Sequence, residues 1–182
     1  MNKKSILVVV MVVLTIIVVF RTIESSIMKA KQELWCKMNL EQMAKGLNMY
    51  LLDFGKEKFY PQKNGQGFLL ALYEEKLVDY SIYTCHSTQD YKQTEKLKSA
   101  PDKGDGDGPI SYAGRKNSQQ NSYPGIFKPY EDTTTTPIAS DDFGTPYNHE
   151  NGKAMNILFL DMHVDFKRKS DPDFPDIDVL AN

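Results

Sequence analysis

Ile6 to Phe20 is an apolar run broken only by Thr15, preceded by Lys3 and Lys4 and closed by Arg21. Such a run is at home in a membrane. Fifteen helical residues rise about 22 Å, short of the roughly 30 Å hydrocarbon core. Ser5, Thr22 and Ile23 can lengthen the helix, while Lys4 and Arg21 snorkel to the two interfaces. A cleaved signal peptide has a similar apolar core, but no small-x-small site follows Phe20 and no lipobox precedes Cys36. The expectation is therefore an uncleaved anchor. Charge counting does not orient it, because Lys3, Lys4 and the terminal amine on one side face Arg21, Lys29 and Lys31 on the other.

Setting that run aside leaves enough chain for one ordinary domain, about 37% apolar, lean but above the level of disordered chains. The 22 basic and 24 acidic side chains nearly cancel and form no basic stripe, which excludes a dedicated nucleic-acid binder. With two cysteines, three histidines and no CxxC or HExxH spacing, a structural zinc site or a zinc protease is expected to lack its ligands.

Beyond Arg21 the apolar residues Cys36, Leu40, Met43, Leu47, Tyr50 and Phe54 follow at intervals of 4, 3, 4, 3 and 4, one face of a helix. Gly46 lies inside this pattern at a cost near 1 kcal/mol, and Gly55 supplies the first stop. The pattern predicts one helix from about Ser5 to Phe54, roughly 75 Å long. Too few heptads and no regular e/g charge pairs argue against a coiled coil, so the second half is expected to pack on its own domain, with Leu40, Met43, Leu47, Tyr50 and Phe54 facing a sheet.

The remainder reads as mixed α+β. Phe68 to Val78 suits a short helix, and Ser87 to Pro109 and Gly125 to Pro137 read as exposed loops. Ile110 to Gly114 and Thr136 to Ser140 are short strand candidates. Asn156 to Arg168 reads as two strands turning about Asp161 and Met162, giving a small antiparallel sheet.

Taken in order, the apolar segment, CKMNLEQMAKGLNMYLLDFG (Cys36 to Gly55), Tyr60-Pro61, YTCHST (Tyr83 to Thr88), SYAG (Ser111 to Gly114), NHENGK (Asn148 to Lys153) and NILFLDMHVDF (Asn156 to Phe166) resemble the bacterial type IV pilin-like proteins, or pseudopilins. The resemblance rests on the Cys-x-x-Asn-Leu helix and an Asp-Gly-His-Val-like hairpin. It implies a long N-terminal helix, half in the membrane and half packed on a small antiparallel sheet. Residues 1–24 would be the cytoplasmic tip and anchor, and residues 25–182 an extracytoplasmic domain on the bacterial inner membrane. The implied role is a structural subunit of a type II secretion or type IV pilus-like assembly, not an enzyme, without a cofactor. Its partners would be the membrane and sister subunits meeting through the N-terminal helix. Two departures stand out. No glycine occurs before Gly46, so the family's Gly-Phe-Thr-Leu-Ile-Glu processing stretch is missing, which favours an alternative: a non-polymerising anchored binding module of the same fold. Met162 stands where the family's hairpin has glycine, at a cost of roughly 1 kcal/mol if its φ is positive.

Cys36 and Cys85, both inside family-like motifs, are expected to form a disulfide, since an even count outside the cytoplasm suits a bridge; two separately buried thiols are the other possibility. His149, Asp161 and His163 can be drawn as a metal or acid–base cluster, but they flank a turn and a hairpin, and no catalytic or metal role is expected of them. His86 has no carboxylate near it in sequence. Asp102, Asp105 and Asp107 offer oxygen ligands of the kind pseudopilins use for calcium. The EF-hand pattern fails there, with Lys103 at its first position and Gly114 at its twelfth, and a solvated turn is expected.

Overall fold

A computed structural model describes residues 2–56, 60–61, 63, 65–85, 110–115, 133–141, 149 and 153–181. Helix α1 spans Lys3–Asp53 without interruption. The part near its N-terminus is long and apolar enough to cross a membrane, and none of that stretch is buried by the rest of the chain. Thr15 and Thr22 do not break it, because each hydroxyl donates to a carbonyl three or four residues back, Met11 for Thr15, and Val18 and Val19 for Thr22. From Cys36 the expected stripe turns inward: Cys36, Leu40, Met43 and Leu47 are fully buried. Gly46 marks a close approach, since a Cβ there would come within 2.7 Å of Val78 Cγ1 and 3.3 Å of Leu72 Cδ1.

The stripe outlives the packing at its far end. Tyr50 is only partly buried and Phe54, beyond the last helical residue, is 45% exposed. Their rings lie 5.4 Å apart and, with Tyr60, Pro61 and Ala71, line an open groove rather than facing the sheet. The expected packing face is thus corrected at Phe54, whose ring lies at the surface against Tyr50. The helix stops as foreseen, but the left-handed residue is Lys56 (φ 49°), while Gly55 extends the last turn by donating to the Tyr50 carbonyl.

Helix α2 covers Gln66–Glu74, four residues short of the expected Val78. It closes with Leu77 N–H donating to the Leu72 carbonyl and Lys76 N–H to Tyr73, with Lys76 at φ 59°, the Schellman pattern. Leu77 therefore joins the core as the closing apolar contact rather than as a helical residue. A short 3-10 helix, Tyr80–Tyr83, follows, with Asp79 accepting from the Ser81 N–H.

Among the described residues, five strands form one antiparallel sheet: β1 Ala113–Arg115, β2 Pro137–Ser140, β3 Ala154–Phe159, β4 Val164–Arg168 and β5 Leu180–Ala181, in the order β4-β3-β2-β1-β5. α1 lies against β3 and β4, and α2 against β1. Alternation splits β3 cleanly. Leu158, with Leu160 beyond the strand, joins the main core under the helices, while Met155, Ile157 and Phe159 meet Phe174 and Ile177 of the C-terminal segment. Burial on both faces explains why this strand reads as a nearly continuous apolar run. Gly114 has a comparable reason: a Cβ there would sit 2.1 Å from the Gly65 carbonyl oxygen at the start of α2.

The β3–β4 hairpin is a three-residue loop, Leu160 to Met162. Met162 N–H donates to Phe159 and Phe159 N–H to His163, with Met162 at φ 72°. This is the hydrogen-bond pattern of a turn followed by a left-handed residue, so Met162 does occupy a glycine-like conformation, in a longer loop than a two-residue type I′ turn.

Candidate functional site

The Cys-x-x-Asn spacing puts Cys36 and Asn39 on one face of α1, one turn apart. Both grip the segment after the 3-10 helix. Cys36 is bonded to Cys85, Cα atoms 5.1 Å apart and 49 positions distant in sequence, with both residues at 0% exposure. Asn39 Nδ2 donates to the Thr84 carbonyl (3.0 Å) and to the Tyr112 hydroxyl (3.1 Å). The same segment is tied to α2 by the Tyr83 hydroxyl, which donates to the Leu69 carbonyl at 2.6 Å, and to the sheet's entry by Ser111 N–H on the Tyr83 carbonyl. Burial pushes both the Tyr83 and Tyr112 phenols far above their ordinary range, so both remain neutral donors and acceptors.

Beside the bridge lies a buried polar group that local sequence does not announce. Asp141, at the end of β2, is fully buried. Its carboxylate accepts from the Asn156 backbone N–H (2.7 Å), from Asn156 Nδ2, and meets His149 Nε2 at 2.7 Å. Asn156 also donates to the Glu33 carbonyl on α1 at 3.4 Å, linking the sheet back to the helix. His149 is held by paired backbone bonds with Ala154, and its ring lies 6.0 Å from that of Phe166. Burial raises the Asp141 carboxyl above its ordinary value, while the hydrogen bonds from His149 and Asn156 pull it back. One donor atom from each of Cys36, Cys85, Asp141 and His149 falls within 4.8 Å of every other, and all four residues are buried.

The cluster drawn from sequence is taken apart. His149 sits at the start of β3, whereas Asp161 and His163 stand in the hairpin at its other end. There the His163 ring bonds to Asp161 and stacks on Phe159, centroids 4.5 Å apart and 4° from parallel, which orders an exposed turn. Asp102, Asp105, Asp107 and His86 lie outside the described residues. Asp141 and Asn156 were missed: Asp141 reads as one of two turn acids, and the only signal for Asn156 is a polar residue heading an apolar strand. With Asp141 at 0% and His149 at 5% exposure, the pair is shielded from solvent in the bridged form. As it stands, the group clasps helix to sheet.

Fold and clasp together define a class: an α+β domain strung on a helix of membrane-spanning length and fixed to it by a disulfide and a buried Asp–His–Asn group. No family model, no curated protein and no solved structure matches the chain.

Proposed function

We propose that this protein is a membrane-anchored, pilin-like structural subunit of a type II secretion or type IV pilus-like assembly, with the domain outside the bacterial inner membrane. The observation that carries the reading is the single helix Lys3–Asp53, bare and apolar in its first part and clamped to a small antiparallel sheet in its second. A helix of this kind is fitted to pass position along its axis, because a domain fixed rigidly to it moves wherever lateral packing of the apolar half moves it. The order of motifs from Cys36 to Phe166 supports the same reading.

Cross-linking in the native membrane tests it. Leu14, exposed on the apolar part, is replaced in Leu14→Cys, and membranes are oxidised. A ladder of dimers and higher species is expected. Monomer alone, with a reporter after Asn182 active outside the cytoplasm, points to the solitary anchored binding module instead. A reporter active only in the cytoplasm overturns both.

A further inference from the structure

We propose that Cys36, Cys85, His149 and Asp141 form a zinc site in the reduced chain, a site that the disulfide closes. The proposal stands apart from the assembly role. No sequence spacing reveals it, because the four residues come from α1, the segment after the 3-10 helix, the position before β3 and the end of β2. Their donor atoms nevertheless lie within 4.8 Å of one another, all buried. A tetrahedral zinc ion with bonds of about 2.0–2.3 Å needs donors separated by roughly 3.3–3.8 Å. To reach that spacing the sulfurs must part and the widest pairs must close by about 1 Å. Two thiolates, an imidazole and a carboxylate suit zinc in charge and softness.

The surroundings are built for it as well. Asn156 already holds Asp141 from its backbone N–H and side-chain amide, the outer support a metal-binding carboxylate needs. The Asn156 side-chain Oδ1 is buried with no hydrogen-bond partner among the described residues, leaving an acceptor beside the four donors. The chain is synthesised with both thiols reduced, so metal binding needs no reductant. Binding one Zn²⁺ releases two protons from the thiols, and the proton between His149 Nε2 and Asp141 passes to His149 Nδ1 or to solvent as Nε2 turns to the ion. Later exchange with a disulfide oxidant moves two electrons from the thiolates to it, forms the Cys36–Cys85 bond, frees two thiols from the oxidant and expels the ion, since disulfide sulfurs are not thiolate ligands.

The test uses the full chain in detergent, reduced with a phosphine under denaturant and refolded with or without Zn²⁺. One Zn²⁺ per reduced chain and none per disulfide-bonded chain is expected. Co²⁺ in its place should give thiolate charge-transfer absorption with intense tetrahedral visible bands. His149→Ala and Asp141→Ala should each weaken Zn²⁺ binding at least tenfold, Cys36→Ser should cut the charge-transfer band by half or more, and His163→Ala should change nothing. Should a variant fail to refold, the wild-type chain decides: Zn²⁺ raises the melting temperature of the reduced form and leaves the oxidised form unmoved. The proposal is overturned by a reduced chain that takes no Zn²⁺ at about micromolar free metal, by equal binding to the oxidised form, or by folded His149 and Asp141 variants that bind as the wild type does.

Discussion

Asp141 carries a carboxylate where water cannot reach it, and its protonation therefore couples to folding. Burial raises its folded pKa above the ordinary 3.8, so its contribution is fullest below that value and is lost as pH rises through the raised one. Each unit of displacement corresponds to about 1.4 kcal/mol. Asp141→Asn has no such titration. Denaturant midpoints of the two proteins, followed upward from about pH 4, should shift steadily in favour of the asparagine variant; a gap that is flat, or that grows in favour of aspartate, contradicts the assignment. Met162 offers a second check. Its side chain packs against the core, yet its φ of 72° penalises any Cβ. Met162→Ala loses packing and keeps the strain, whereas Met162→Gly loses packing and relieves it, so glycine should exceed alanine in unfolding stability by about 1 kcal/mol, the reverse of their usual order in regular structure. At this scale the sequence was only partly legible. The missing glycine flagged the turn and the cysteine count flagged the bridge, but Asp141 is set apart by its pairing with His149 and Asn156, 8 and 15 residues away in sequence.

Among the elements, α1 was the most readable, because its 4-3 spacing demands a continuous helix and no proline or early glycine interrupts it. The reading failed where pattern and burial part company. Phe54 keeps the spacing but stays at the surface, and Leu77 keeps the α2 pattern while serving a Schellman turn. β5, two residues long, has too little pattern to announce itself and exists because the C-terminal segment returns to cover the far face of β3 and pairs with β1. The energetic weight of α1 sits at Leu47, fully buried in the main core. Leu47→Asp places an unpaired charge there and should cost about 3 to 5 kcal/mol, read as a collapse of the denaturant midpoint. An unchanged midpoint would remove α1 from the core.

On the scale of the whole molecule, the domain is lean and its attachment to α1 rests heavily on the disulfide. Closing 49 residues of chain removes about 4 kcal/mol of denatured-state entropy, an upper figure for the bridge. The double variant Cys36→Ser, Cys85→Ser should lose up to that amount against the oxidised wild type in urea unfolding; no loss would mean that the bridge constrains nothing the clasp does not already hold. That the domain is carried rigidly on a helix of membrane-spanning length is the central claim, and a nitroxide scan of single cysteines from Ile6 to Leu47, in the full chain reconstituted in bilayers, tests it most directly. High oxygen accessibility from Ile6 to Phe20, then mobility falling and rising every 3.6 residues with minima at Leu40, Met43 and Leu47, with no gap between the two regimes, is the predicted result. A stretch of freely mobile labels between Arg21 and Glu33, or polar-reagent access throughout Ile6 to Phe20, would contradict it.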